Sequence, residues 1–372
     1  MPQKLRVAVI FGGRSGEHAV SLMSARFVLS MLKPERYELI QVGISKQGAW
    51  WVGPDVLAAL QAEELGSLQP AALLPDPTRP GLKRIEMKDD MEMLNTLSEV
   101  DVVFPVLHGT FGEDGTLQGL LEMSGVAYVG AGVLGSAAGM DKGLFADVMR
   151  ANGIPVVEQA LILRSELEAD PDAALRIAES VGGDPLFVKP ANLGSSVGVS
   201  KVASRSDLLE GLMYAAQYDR RLVVQKGHNV REIEVAVLGN DQPLASVCGE
   251  VAPEAEFYSY EAKYHDDRSK THIPADLPPA TAERIRTLAV KAYKVADISG
   301  MARVDFFVDS DSGEVYLNEL NTIPGFTQIS MYPQLWSASG IPGAELVDRL
   351  IELALERHAQ RRAQSFEYSR GG

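Results

Sequence analysis

The sequence predicts an α/β protein of several domains that opens with a doubly wound domain, and three observations carry that expectation. Residues 5–11 (LRVAVIF) read as a buried strand, and GGRSGEHAVSLMSARFVLSML supplies a Gly-rich turn and a helix directly after it. Further strand-like segments alternate with amphipathic helical ones along most of the chain. At 372 residues the chain is too long for one ordinary core, so two or three domains are expected.

The chain carries 35 Lys plus Arg against 50 Asp plus Glu, a net charge of −15. That balance opposes binding to nucleic acid or to an anionic membrane, because both need basic surface. An anionic small substrate needs only a few local cations. The single cysteine, Cys248, excludes an intrachain disulfide and suits a reducing cytosol. Its alternating apolar surroundings (PLASVCGEV) mark a packed thiol rather than a nucleophile. The N-terminal apolar run is too short for a signal segment, and no stretch approaches the ~20 apolar residues of a membrane helix. A cytoplasmic protein is expected.

After the first helix, YELIQVGIS (37–45) reads as a second strand, while residues 46–95 are poorly patterned and read as an elaborated connection without chemistry. VDVVFPVLHG (100–109) is a buried strand that runs into a loop carrying Gly109, Gly112 and Gly115. Ligands in open α/β sheets lie beyond the carboxyl ends of strands, so His108 is a ligand candidate as well as an ordinary turn residue. Glu17 starts the first helix, with Ser21 four residues on; it either complements the helix dipole or meets a ligand. The glycines here do not follow G-x-G-x-x-G, which leaves a nicotinamide-dependent dehydrogenase unsupported. A helix from about Asp141 carries Lys142 and stops at Asn152-Gly153-Ile154-Pro155.

Domain boundaries are expected to give 1–141, 142–228 and 229–372, with a hinge near Gln225 to Asn229. The second domain holds a helix around 165–181, then PLFVKP and GVSKV as strands joined by ANLGSS. Successive N–H groups in such a Gly/Ser loop form an anion nest, and Lys189 adds a point charge. The loop is not a Walker motif, since it runs into a strand and lacks G-x-x-x-x-G-K. A helix (206–218), the strand RLVVQK and the strand REIEVAVLG follow. Residues 249–271 read as one long loop of the kind that serves as a lid.

Near the C-terminus, VDFFV and EVYLNEL read as a hairpin around DSDSG. A loop at 309–313 pairs Val308 with Glu314 and Arg303 with Glu319. Residues two apart and cross-strand partners share a face, so Arg303, Asp305, Glu319 and Asn321 converge. Three oxygen ligands in such a cluster suit a hard divalent cation such as Mg²⁺. A solvated strand face is the plain alternative. The neighbours Phe306, Phe307, Val308 and Leu317 argue instead for burial, where unpaired carboxylates are costly. An amphipathic helix (342–357) and a polar tail close the chain.

Taken together and in order, GGRSGEHAVSL, HGTFGEDG, GMDK, FVKPANLGSSVGVSKV, REIEVAVLG, YEAKY, ARVDFFV and NELNTIPGFTQIS resemble the D-alanine–D-alanine ligases of the ATP-grasp superfamily. The resemblance covers nearly the whole chain. It implies an ATP-grasp architecture, in which a doubly wound α/β domain precedes two α+β domains that sandwich ATP. It implies that ATP phosphorylates the carboxylate of one D-alanine and that the amine of a second attacks the acyl phosphate, for peptidoglycan precursor synthesis. Two Mg²⁺ ions, or Mn²⁺ in their place, would be held by Asp305, Glu319 and Asn321.

By position, the resemblance assigns Lys142, Lys189, Ser195, Ser196, Gln225, Glu232 and the lid residue Lys263 to ATP. Glu17 and His108 would meet the first D-alanine, and Ser330 the carboxylate of the second. Arg303 and the Gly325 N–H would stabilise the oxyanion. Ser195 and Tyr264 would link Glu17 to the lid and close the site against water. Gln225 stands where many relatives carry Glu. Tyr264 stands where D-lactate-accepting relatives carry His, which favours D-alanine as second substrate. A D-alanine–D-lactate or D-alanine–D-serine ligase is the alternative, and a homodimer is the expected assembly. A nucleotide-binding regulatory protein with a decayed site is opposed by the presence of every implied metal and phosphate residue.

Overall fold

The computed structural model describes residues 4–252 and 270–365, and its strands form three sheets. In the first, β1 (Leu5–Gly12) and β2 (Tyr37–Ile44) pair in parallel across helix α1 (His18–Met31). β3 (Trp50–Val52), β4 (Gln69–Leu73), β5 (Leu82–Lys88) and β6 (Met91–Ser98) then continue antiparallel to an open edge. β7 (Val102–Val106) pairs in parallel with the other side of β1, and β8 (Ala127–Tyr128) with β7. β1 is buried on both faces, which explains why it reads as one continuous apolar run.

The stretch 46–95, expected to be a connection, thus holds four strands and the helix Val56–Ala62. Its pattern hides them because the β5–β6 hairpin stands in solvent on both faces. Met87, Met91, Met93, Leu94 and Leu97 are all exposed there, so no in–out alternation marks the strands.

The second sheet is antiparallel, with β9 (Gln159–Leu163), β10 (Leu186–Pro190), β11 (Ser200–Val202) and β12 (Arg221–Lys226) in the order β11-β10-β12-β9. The single helix expected over 165–181 is two, Arg164–Ala169 and Pro171–Glu179. Asp170 caps the second by accepting from Ala173 N (2.9 Å), and Pro171 opens it.

The third sheet orders β13 (Val230–Gly239), β14 (Leu244–Ala252), β15 (Lys270–His272), β16 (Gly300–Asp309) and β17 (Val315–Asn321) as β15-β14-β13-β16-β17. The segment expected as one loop over 249–271 therefore begins as part of β14 and ends as β15.

The register of the β16–β17 hairpin differs from expectation twice. Near the loop Val308 pairs with Val315 rather than Glu314, a shift of one residue. A bulge between Asp305 and Phe306 then adds a second shift, so that Asp305 faces Glu319 and Arg303 faces Asn321. One shift alone would have turned Glu319 and Asn321 to the opposite face. The two together restore parity, and the four residues share a face after all.

The chain ends by returning to its beginning. Trp336 on α2 (Met331–Ala338), and Val347, Leu350 and Ile351 on α3 (Gly343–Arg362), share one core with Val7, Val9, Phe104 and Val106. Asp348 accepts there from Tyr37 Oη and Arg36 Nη1, both at 2.6 Å. Cys248 is buried beneath the helix Pro279–Val295, and burial pushes its thiol up to about 11, as suits a packed thiol. No helix among the described residues is long and apolar enough to cross a membrane.

Candidate active site

β1 leads one way to β2, while β7 lies on its other side, so a crevice opens between the carboxyl ends of β1 and β7. Three serines of the turn and first helix stitch that crevice together. Ser15 Oγ donates to His108 O (2.9 Å) and accepts from Glu17 N (3.1 Å). Ser21 Oγ accepts from Gly12 N (2.7 Å) and donates to Val106 O. Ser24 Oγ bonds His108 Nε2 (3.0 Å) and accepts from Phe326 N (3.2 Å).

The other nitrogen of His108 lies 2.8 Å from Ile323 O, which can only accept, so Nδ1 carries the proton and Nε2 accepts from Ser24. Burial pushes this imidazole down, in keeping with the neutral form. Glu17 occupies the N-cap position of α1 without a side-chain capping bond, and its carboxylate accepts from Ser195 Oγ instead. Gly109 packs on it so closely that a Cβ there would lie 2.3 Å from Glu17 Oε2, and a Cβ at Gly194 would lie 2.8 Å away. A pocket of about 220 Å³ lies beside these residues, lined by Ser15, Glu17, Thr110, Gly194 and Tyr218 among others.

The ANLGSS loop between β10 and β11 forms the roof. Ser195 and Ser196 both adopt left-handed backbone (φ 52° and 59°), which turns the loop sharply over Glu17. Its base is fixed by Asn192, whose Nδ2 donates to Asp141 Oδ2 (3.1 Å) and Asp219 Oδ2 (3.0 Å). Asp141 also caps the helix Lys142–Ala151 and pairs with Arg221 (2.9 Å). Lys142, at the first position of that helix, donates to Leu193 O (2.7 Å) and stands 3.8 Å from Glu319 Oε2. On the second sheet Lys189 donates to Oε1 of the buried Gln225 (2.7 Å), so that oxygen is already engaged.

At the hairpin, Arg303 grips Asp305 through Nε (2.8 Å) and Nη2 (2.6 Å), while Glu234 lies 3.0 Å from Nε. The nearest counter-ions of Arg303 are thus Asp305 and Glu234, with Glu319, which the bulge moves opposite Asp305, adding a smaller favourable charge. Burial works against the guanidinium charge, but Asp305 and Glu234 outweigh it and hold Arg303 well above its ordinary range. Asn321 Nδ2 donates to Asp305 Oδ2 (3.0 Å). Glu232 lies two residues before Glu234 on β13 and shares its face. Ser330 stands at the N-cap position of α2, and its hydroxyl turns back to accept from Thr327 N (2.9 Å) beside Gly325. Lys263 and Tyr264 lie outside the described residues.

Two carboxylates and an amide oxygen are hard donors, and Asp305, Glu319 and Asn321 fit Mg²⁺ by that chemistry. Among the described residues no group of three or more His, Cys, Asp and Glu side chains is arranged for a metal, so water and nucleotide oxygens would have to complete the shell.

Contacts run through six of the expected residues, while Lys189 and Gln225 form a separate pair on the second sheet. Glu17 joins Ser195, whose loop joins Lys142, which faces Glu319 across from Asp305 and Arg303. Sequence reasoning passed over Glu234 and Glu113. The first was signalled by the alternation Glu232-Ile233-Glu234, and the second by an acid inside the Gly-rich loop after His108. Glu113 accepts from Gly109 N (2.9 Å) and Ile323 N (2.8 Å), and burial together with the charge of Glu17 pushes it up to about 8.

The family models described as D-ala D-ala ligase N-terminus and D-ala D-ala ligase C-terminus match residues 6–131 and 148–352. The D-alanine–D-alanine ligase of Heliobacterium modesticaldum is 46% identical over 364 residues, 98% of each chain. That of Caldicellulosiruptor bescii is 47% identical over 369 residues, 99% of this chain and 100% of its own. Among solved structures, the D-alanine-D-alanine ligase from Coxiella burnetii superposes with a TM-score of 0.80 at 37% identity, covering 96% of both chains. The VanG D-Ala:D-Ser ligase from Enterococcus faecalis superposes with a TM-score of 0.83 at 34% identity, covering 95% of this chain and 100% of its own. With both halves matched in order and relatives aligned from end to end, the chain belongs to the D-alanine–D-alanine ligase family and has its ATP-grasp fold.

Proposed function

We propose that the chain joins two molecules of D-alanine into D-alanyl-D-alanine, using ATP, as a step of cell-wall precursor synthesis. The observation that carries this reading is the run of contacts from Glu17 through residues 193–195 of the loop and Lys142 to Glu319. It makes one site of an ammonium-binding end and a phosphate-binding end. Relatives at 46–47% identity bear the name D-alanine–D-alanine ligase, which favours D-alanine over D-serine or D-lactate as second substrate.

In this reading Glu17 holds the ammonium of the first D-alanine beside His108. Lys142, Lys189, Ser195, Ser196, Gln225 and Glu232 hold ATP, with Lys263 on the lid. Because Lys189 occupies Gln225 Oε1, Gln225 supports the nucleotide site through Lys189 as well as directly. A carboxylate oxygen of the first D-alanine attacks the γ-phosphorus and ADP leaves. The amine of the second D-alanine, its carboxylate held by Ser330, attacks the acyl carbon and loses a proton. Phosphate departs as the tetrahedral intermediate collapses.

Arg303, kept charged by Asp305 and Glu234, and the Gly325 N–H face the oxyanion. Asp305, Glu319 and Asn321 would hold a pair of Mg²⁺ ions, which would supply neutralisation of the phosphate charge. Closure of the lid, with Tyr264 linked to Ser195 and Glu17, keeps water from the acyl phosphate. The reading also takes 1–141, 142–228 and 229–372 as three domains, each built around one sheet. It takes the protein as cytoplasmic, where ATP and a reduced Cys248 belong, and as a homodimer, for which sedimentation is the test.

Product analysis tests the function. With ATP and Mg²⁺, D-alanine should yield the dipeptide and one phosphate per bond formed. A depsipeptide or a D-alanyl-D-serine product in preference to the dipeptide would contradict it.

A further inference from the structure

We propose that Glu113 is a positioning residue of this reaction: its carboxylate holds the peptide of Ile323, and with it the Asn321–Gly325 turn, against the loop that carries His108. The proposal rests on the ligase reading above.

The geometry is a two-point hold. Glu113 Oε1 accepts from Ile323 N–H (2.8 Å), and the Ile323 carbonyl accepts from His108 Nδ1 (2.8 Å). Both polar groups of one residue are therefore gripped by one loop from β7. That fixes the orientation of the strand exit as well as its distance. Ile323 lies two residues after Asn321 and two before Gly325, midway between a metal-ligating candidate and an oxyanion donor. Ser24 adds a third point by accepting from Phe326 N (3.2 Å).

The second oxygen of Glu113 accepts from Gly109 N–H (2.9 Å), and Gly109 is the residue against which Glu17 packs. One carboxylate thus spans from the neighbour of the ammonium site to the neighbour of the metal site. The two N–H groups each meet their own oxygen of Glu113, Oε2 for Gly109 and Oε1 for Ile323, and an amide in its place would offer an oxygen at only one of the two positions. Ile323 is only 3% exposed, so its N–H would have no ready replacement from solvent.

Burial and the adjacent Glu17 oppose ionisation of Glu113, and the two N–H bonds and Arg303 favour it.

The test compares wild type with E113Q and E113A, measuring kcat, KM for D-alanine, KM for ATP and melting temperature. The hold acts on catalytic geometry and leaves the nucleotide lysines alone. kcat should therefore fall roughly 10- to 100-fold in E113A, as for a displacement on the order of 1 Å. KM for ATP should stay within about twofold. E113Q keeps one acceptor and should be restored part of the way. Full kcat in folded E113A overturns the proposal, and so does a loss of kcat matched by an equal loss of ATP affinity. If E113A does not fold, E113Q decides, and an unchanged kcat there overturns it. Wild-type protein that releases no phosphate with D-alanine would instead sink the ligase reading, a failure visible before any variant is made.

Discussion

The two ends of the site are held in place by different means. At the hairpin, Arg303, Asp305, Glu319 and Asn321 project from paired strands; Arg303, Asp305 and Asn321 meet through side chains, and Glu319 faces Lys142. At the crevice between β1 and β7, nearly every fixing bond involves backbone: Ser15 to His108 O, Ser21 to Gly12 N, Glu113 to Gly109 N and Ile323 N, His108 to Ile323 O. A change at the first end removes a charge and leaves the frame standing, because the ladder holds it. A change at the second end moves the frame itself.

That contrast orders the expected effects. Glu319→Gln, at the strand-held end, should lower kcat about 10²- to 10³-fold or more, as loss of a preorganised electrostatic group does, with an unchanged melting temperature. Kinetics and calorimetry on the same sample check it, and a near-wild-type rate would remove Glu319 from the site. Gly109→Ala, at the loop-held end, should damage both quantities. Its backbone is left-handed (φ +71°) and its Cβ would strike Glu17 Oε2, so the variant should lose about 1–3 kcal/mol of stability and roughly 10- to 100-fold in rate. Equal melting temperatures for Gly109→Ala and wild type would erase the contrast.

A change remote from both ends should affect stability alone. Asp348 is buried and accepts from Tyr37 and Arg36, so Asp348→Ala should cost about 3 kcal/mol in denaturant unfolding with kcat of the folded fraction unchanged.

The loop-held end should also respond to pH. Glu113 is raised from 4.5 to about 8 among Glu17, His108 and Arg303. Between those values the folded state keeps a proton that the unfolded state has lost, so this group makes stability fall as pH rises. Melting curves of Glu113→Gln from pH 5 to 8 should be flatter than those of wild type. The smallest effect concerns Cys248, whose thiol at about 11 should resist alkylation at neutral pH until the protein unfolds.

The same contrast explains what could be read from the chain. Strand parity found the shared face of Asp305, Glu319 and Asn321, because side-chain direction repeats every two residues. It missed the pairing itself: a bulge leaves no mark on hydrophobic alternation, and the site residues kept their face only through two compensating shifts. The loops carry no period. Glu113 and the serines of α1 act through backbone groups whose partners lie on distant segments, which spacing along the chain does not reveal. The β5–β6 hairpin escaped for a third reason, since a hairpin wet on both faces has no buried side to alternate with.

Phosphate release from ATP tests the joined site most directly, measured for wild type and Glu17→Gln with D-alanine, with L-alanine and with neither. The account predicts release with D-alanine alone and its loss in Glu17→Gln, since the ammonium end and the phosphate end are one site. Equal release with L-alanine, or a Glu17→Gln variant as fast as wild type, would contradict it.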